Sequence, residues 1–290
     1  MAGLIDRFCR FLRESDRSPL TVRSYRSDLV LFTAWFAEAN GQVFKPSKLT
    51  STDLREYKRH LSSEHSSPST INRKIATLRA FIQWAVAAHL LAADHGIRLP
   101  RPVRETKHAP RWLTRLEQHR LLRAVERGRI VRDVAIVKVL LNTGLRVSEL
   151  SALEWRDIRI SERRGEMIVR KGKGEKQRRI PLNKDARDAL SSIGYREHAG
   201  HRVRIFCGQR GPLTPRGLEA LFARYARAAK LGDATPHSLR HSFCKNLVDA
   251  GVSLEKVATL AGHDSLDTTR RYCDPSLHDL EDAVARISDE

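Results

Sequence analysis

The 290-residue sequence contains no apolar run long enough to cross a lipid bilayer. The longest apolar stretch near its middle, Val134–Leu141, is interrupted by Lys138, whereas a membrane span needs about 20 apolar residues. The N-terminus turns charged at Asp6 and Arg7, before the hydrophobic region of a signal peptide could form. These absences argue against a membrane or secreted protein, and we expect a cytoplasmic one.

Cysteine is also scarce, and its spacing is irregular. The four cysteines (Cys9, Cys207, Cys244 and Cys273) form no C-x-x-C pair. This pattern argues against a disulfide scaffold and is typical of reduced thiols in a cytosolic protein. The sequence also has no internal repeat and no low-complexity tract, and its length suffices for two ordinary domains.

Acidic side chains are too few to balance the basic ones. The sequence has 53 lysines and arginines against 34 aspartates and glutamates, which gives a net charge of +19 and a pI of about 10.4. Both halves of the chain are basic. A surface of this kind attracts polyanions, so we expect a nucleic-acid partner and association with the nucleoid. A generally basic, soluble surface is the simpler interpretation.

Residues 1–96 show the apolar spacing of a helical bundle. Apolar side chains recur every three or four positions in four segments, the third of which spans residues 53–61. Ser18 before a proline predicts the start of the second helix and Gly41 its end, and Ser69 predicts the start of the fourth. Basic side chains lie mostly off the apolar stripes and suit either phosphate contacts or a solvated face: Arg23, Arg26, Lys58, Arg59, Arg73, Lys74 and Arg79.

Residues 97–110 interrupt the helical pattern. They contain three prolines and four basic residues, which argues against a helix and favours an extended, positively charged linker. We therefore expect an N-terminal helical domain at 1–96, a basic linker at 97–110 and a second domain at 111–290. A linker that runs beside a duplex would let the two domains close around it.

The second domain combines helices with a small sheet. Thr114 and Glu117 predict a capping box at its first helix, and Val131–Leu141 predicts a buried helix that ends at Gly144. Short segments separated by glycines predict an antiparallel meander over 158–160, 166–171 and 178–182. The expected fold class is mainly α with a small antiparallel β-sheet, as an N-terminal helical bundle and a C-terminal α+β domain.

The second domain contains five residues with the side chains that phosphodiester cleavage requires. Arg146 lies in the string Gly-Leu-Arg-Val-Ser-Glu-Leu. His237 and Arg240 are three positions apart and so share a helix face, and Tyr272 follows His263 by nine residues. A tyrosine phenol can attack a phosphodiester, and two guanidiniums can hold the non-bridging oxygens of the transition state. The leaving 5′-oxygen needs a proton, which a lysine or histidine can donate.

With these motifs in this order, the chain resembles the tyrosine recombinases of the phage integrase family, and most of all the Xer-like members. The resemblance implies a core-binding domain for DNA, followed by a catalytic domain that recombines DNA at specific sites through a 3′-phosphotyrosyl intermediate. It implies no metal or other cofactor. The catalytic residues that it identifies are Arg146, Lys173, His237, Arg240, His263 and Tyr272.

The resemblance also implies the partners. These are double-stranded DNA with a specific recombination site and a homo-tetramer on two synapsed sites, with or without a second related recombinase. The C-terminal segment 277–290 carries an apolar stripe that packs either on its own domain or, as in the family, on a neighbouring protomer.

Supporting roles follow for three further positions. Glu149 is expected to orient a guanidinium, and His241 to support the core. The general acid is expected at Lys173, where a Lys-Gly-x-Lys-x-Arg pattern begins, although Lys171 and Lys176 are close competitors.

Three other functions use the same residues. A type IB topoisomerase-like enzyme would relax DNA by the same chemistry without synapsis, and a non-cleaving relative would only bind DNA. A metal hydrolase is the third, because His237, His241 and Cys244 fall at i, i+4 and i+7 and could bind zinc with His263 or Cys273. The sequence does not distinguish dimer resolution from integration, excision or inversion.

Overall fold

The structure, a computed structural model, describes residues 2–105, 110–170, 177–263 and 265–273. The chain divides into two units, Met1–Lys107 and His108–Glu290, and each has its own apolar core. In the part of the chain that is described, no helix is both long and apolar enough to span a bilayer.

The first unit is helical, as its apolar spacing predicts. Ser18 caps the second helix by accepting a hydrogen bond from the Thr21 amide, and Gly41 ends this helix in the left-handed conformation. The fourth helix begins earlier than expected. Its N-cap is Ser67 rather than Ser69, because Pro68 occupies the first helical position. The helices are α1 (Ala2–Glu14), α2 (Pro19–Asn40), α3 (Ser51–Ser63) and α4 (Pro68–Ala87), with a 3₁₀ turn at Pro46–Lys48.

Aromatic rings fill the core of the first unit. Phe32 lies at its centre and meets the ring of Tyr57 edge-on at 4.9 Å. Residues 97–105 have no helix or strand and lie against this unit. The side-chain amide of Asn72 donates to the carbonyl of Val103 at 2.9 Å and accepts from its amide at 2.8 Å. The first part of the proline-rich segment is therefore fixed to the helical unit by hydrogen bonds between the Asn72 side chain and the Val103 backbone.

The second unit is mainly helical. Thr114 and Glu117 form the expected capping box, and Gly144 ends the largely buried sixth helix in the left-handed conformation. Its helices are α5 (Arg115–Arg127), α6 (Val131–Thr143), α7 (Val147–Ala152), α8 (Lys184–Ser191), α9 (Tyr195–His198), α10 (Pro215–Ala228), α11 (Pro236–Asp249), α12 (Leu254–Ala261) and α13 (Leu266–Arg270).

A three-stranded antiparallel sheet lies between α7 and α8 in the chain. Its strands are β1 (Ile158–Ile160), β2 (Gly165–Val169) and β3 (Arg178–Pro181), in the order β1-β2-β3. Met167 of the central strand pairs with Ile158 and Ile180 on either side. A two-stranded ribbon that the sequence analysis did not anticipate follows at β4 (Cys207–Gly208) and β5 (Gly211–Pro212). The expected fold class, mainly α with a small antiparallel sheet, is confirmed.

Candidate active site

Arg146 follows a helix end that only glycine fits. Gly144 ends α6 with φ of 62°, and a Cβ at this position would collide with the ring of Phe243. Arg146 is then the N-cap of α7, and its amide donates to the Glu149 carboxylate at 2.8 Å. Its guanidinium donates to Glu149 at 3.0 Å and to the carbonyl of Gly262 at 3.0 Å. The helix start and the α12 terminus thus fix the guanidinium together.

Glu149 holds two guanidiniums at once. Arg178 at the start of β3 donates from both terminal nitrogens to the Glu149 oxygens at 2.7 Å each. Burial would raise the pKa of Glu149, but the hydrogen bonds from Arg178 and from the Arg146 amide outweigh this and lower it to about 2. The expectation that Glu149 orients a guanidinium agrees with these contacts. The sequence motifs did not single out Arg178. The available signal was a charged residue at a strand position whose side chain faces inward.

Arg240 is buried and incompletely paired. It lies on α11 with 2% of its surface exposed, and one terminal nitrogen donates to the Gly144 carbonyl at 2.7 Å. The other, Nη2, is buried and has no hydrogen-bond partner among the described residues. Burial and the nearby Arg146 lower the pKa of Arg240 to about 10. A buried donor of this kind is costly to leave unpaired, so the site favours an anion.

His237 and His263 lie around the same guanidiniums. His237 lies in the first turn of α11 and is exposed to solvent on one side. The protein packed against its other side and the charges of Arg240 and Arg146 lower its pKa. His263 follows α12, and its Nδ1 lies 2.9 Å from the hydroxyl of Thr269. Burial and the same two arginines lower the pKa of His263 to about 4, so its ring is neutral at pH 7.

Tyr272 lies two residues after α13 and points inward. Only 1% of its surface is exposed, and its hydroxyl lies 2.6 Å from Nδ1 of His241. Its ring is nearly parallel to that of His263, with 6.2 Å between the ring centroids. Burial and the thiol of Cys244 raise the pKa of Tyr272 above its ordinary value. His241, expected only to support the core, is the hydrogen-bond partner of the phenol.

The structure therefore brings Arg146, His237, Arg240, His263 and Tyr272 into one cluster. Lys173 and its competitors Lys171 and Lys176 lie outside the described residues, as does the 277–290 segment. For the zinc alternative, the described part of the chain shows no group of three or more histidine, cysteine or acidic side chains placed to hold a metal.

Each of the two units matches a known protein family model. The phage integrase family model matches residues 111–278, and the model of the phage integrase N-terminal SAM-like domain matches residues 5–89. The tyrosine recombinase XerC of Corynebacterium efficiens is 33% identical over 98% of this chain and 90% of its own length. The tyrosine recombinase XerD of Ralstonia nicotianae is 33% identical over 92% of this chain and 88% of its own.

Solved structures show the same fold at lower identity. The XerH site-specific recombinase bound to its difH substrate, in a pre-cleavage complex, matches with a TM-score of 0.72 at 23% identity, covering 97% of this chain and 83% of that one. A lambda integrase dimer bound to a COC′ core site matches with a TM-score of 0.72 at 21% identity, covering 94% and 95%. The chain therefore belongs to the phage integrase family and is a tyrosine recombinase of the Xer-like kind.

Proposed function

We propose that this chain is a site-specific DNA recombinase in which Tyr272 attacks the scissile phosphate and leaves a 3′-phosphotyrosyl link and a free 5′-hydroxyl. The observation that carries the proposal is the buried Nη2 of Arg240, which has no protein partner in the described part of the chain. The same cluster holds a second guanidinium, two histidines and the phenol. A phosphodiester oxygen satisfies the unpaired donor.

Charge stabilisation is assigned to Arg146 and Arg240. The pentacoordinate transition state carries more negative charge than the phosphodiester, and both guanidiniums are held before DNA arrives. Because Arg240 is anchored by one nitrogen on the Gly144 carbonyl, the other nitrogen remains for the phosphate. Donors fixed in advance need no rearrangement during the reaction, which is why they favour the transition state over the ground state.

Proton transfer is assigned to the histidines and to Lys173. Tyr272 forms the O–P bond with its phenol oxygen, and its proton passes to a neutral histidine of the site or to water. The bond from phosphorus to the 5′-oxygen breaks, and Lys173 protonates that oxygen. The reverse step uses the 5′-hydroxyl of the partner strand, so the bond energy is retained in the phosphotyrosine and no cofactor is required.

DNA binding is assigned to both units, with 1–96 as the core-binding domain, 97–110 as a basic linker and 111–290 as the catalytic domain. On the first unit a groove is lined by four basic side chains, the exposed Arg55, Arg59 and Arg101 and the partly buried Lys58. These positions suit contacts to the phosphate backbone, whose strength falls with salt concentration. Assembly is proposed as a homo-tetramer on two synapsed sites, with or without a second related recombinase.

Tyr272→Phe tests the nucleophile, with Tyr57→Phe as the matched control. Both tyrosines are buried, but the hydroxyl of Tyr57 has no partner in the described part of the chain, so its loss should be silent. On a nicked site that traps the covalent complex, we expect wild type and Tyr57→Phe to form an adduct and Tyr272→Phe to bind DNA without one. An adduct with Tyr272→Phe would exclude this nucleophile. Relaxation of a plasmid that lacks a defined site would favour the topoisomerase alternative.

A further inference from the structure

Arg178 is a buried arginine that direct contact with DNA does not explain. Its side chain is 9% exposed, whereas that of its neighbour Arg179 is 72% exposed and faces the opposite side of β3. Besides its two bonds to Glu149, its Nε donates to the carbonyl of Leu260 at 3.1 Å. All of these contacts join β3 to elements that carry proposed catalytic residues.

Glu149 stands between two guanidiniums and binds them unequally. Arg178 makes a bidentate pair at 2.7 Å, while the guanidinium of Arg146 makes one side-chain bond at 3.0 Å. A bidentate guanidinium–carboxylate pair is the stronger arrangement. The carboxylate is ionised throughout the physiological range, because its pKa is about 2. Its charge is thus matched chiefly by Arg178.

Without Arg178, the same carboxylate would have only Arg146 as a cationic partner. A largely buried carboxylate in this position draws the remaining guanidinium into a full ion pair, because an unpaired buried charge is costly. Arg146 would then be turned toward Glu149, and its charge would be offset by protein instead of by phosphate. The charges around the cluster that bear on this balance are those of Arg146, Arg240 and Arg178 against Glu149.

We propose that Arg178 is a positioning residue for cleavage, which neutralises Glu149 so that the charge of Arg146 is left for the scissile phosphate. The proposal rests on the proposed function, since it needs Arg146 to bind that phosphate. Arg178 also ties the start of β3 to the end of α12. Gly262 has a φ of 67°, and a Cβ there would lie 2.9 Å from the Arg178 guanidinium, so glycine at this position permits the close approach.

The experiment is a double-mutant cycle of Arg178→Met and Glu149→Gln in the full chain. Cleavage is measured as the single-turnover rate of covalent adduct formation on the nicked site, and DNA affinity is measured with Tyr272→Phe present in each variant. We expect Arg178→Met to slow cleavage about 10- to 100-fold, less than the loss of a direct donor. Adding Glu149→Gln removes the unmatched carboxylate, so the double variant should cleave at least about tenfold faster than Arg178→Met.

Arg179→Met is the matched control, because it removes the same charge one residue away from an exposed position. We expect its cleavage rate to stay near that of wild type. Arg178→Lys keeps a positive charge beside Glu149 without the bidentate geometry and should give an intermediate rate. If Arg178→Met does not fold, Arg178→Lys still gives a measurable rate to set against Arg178→Lys with Glu149→Gln.

Two outcomes would overturn the proposal. If removing the Glu149 charge gives no recovery in either arginine variant, Arg178 acts only as a packing residue. If Arg179→Met loses as much activity as Arg178→Met, the loss reflects general charge on DNA binding. Failure of the proposed function is recognised separately, because the wild-type protein would then form no Tyr272-dependent adduct.

Discussion

At Arg240 the proposed catalytic role and the stability of the fold make opposite demands. In the DNA-free protein its charge is buried, its pKa is lowered, and Nη2 has no partner in the described part of the chain. Buried ions that are incompletely paired can be replaced by apolar side chains at little or no loss of stability. Strained or under-satisfied active-site groups often show this trade-off between stability and activity.

We expect Arg240→Met to unfold at the same or a higher temperature than wild type while its cleavage rate falls by at least about 10²-fold. Arg224→Met is the contrast, because Arg224 donates to the buried Asp133 at 3.0 Å. Its loss should lower the melting temperature and leave cleavage unaffected. Thermal melting and adduct formation measure both effects. An Arg240→Met protein that melts well below Arg224→Met would contradict this account.

At the scale of elements, the turn after α6 sets where Arg146 stands. Gly144 combines a φ of 62° with a ring of Phe243 where a Cβ would lie. Gly251 has a φ of 76° but nothing within 4 Å of its Cβ position. Gly251→Ala should therefore cost only the backbone strain, about 1–2 kcal/mol. Gly144→Ala should cost more, because Phe243 must also move.

We also expect Gly144→Ala, but not Gly251→Ala, to slow cleavage, because the Gly144 carbonyl anchors Arg240. Denaturant unfolding and adduct formation on the nicked site check the pair. Equal losses of stability in the two variants would mean that the contact with Phe243 relaxes freely. In that case the strict fit at the end of α6 would not explain the position of Arg146.

The sequence predicts the ends of the helices better than it predicts the contacts within the candidate site. Helix ends are local, so a serine before a proline or a glycine after an apolar run is enough to predict α2 and α6. The two-residue error at Ser69 arose because two serines compete for the same cap. The contacts of Arg178 with Glu149 and of His241 with Tyr272 join residues 29 and 31 positions apart. No local pattern encodes such a pairing, so only the fold shows it.

At the scale of the whole molecule, the proposed tetramer requires a surface through which protomers join. The apolar stripe of 277–290 lies outside the described residues, and docking on a neighbouring protomer stays a prediction. Removing residues 277–290 should leave single-site DNA binding nearly intact and sharply reduce cooperative loading and strand exchange. The stripe consists of four apolar residues, Leu277, Leu280, Val284 and Ile287. Burying each is worth about 1.5–3 kcal/mol, enough to decide whether loading is cooperative.

Gel-shift titration on one-site and two-site DNA separates these effects, and melting of the free protein gives the control. If the tail packs on its own domain, truncation lowers the melting temperature of the monomer instead. A truncated protein that melts early yet still loads cooperatively on two sites would contradict docking between protomers.

The inward position of Tyr272 bears on how such an enzyme can search a genome safely. A genome offers on the order of 10⁶–10⁹ non-specific sites that compete with one target site. Only 1% of the Tyr272 surface is exposed, and its hydroxyl is held by His241. With Tyr272 as the proposed nucleophile, cleavage requires this contact to open while DNA is bound. We therefore expect most encounters with DNA to leave the strand intact, so that accidental nicks are much rarer than contacts with DNA.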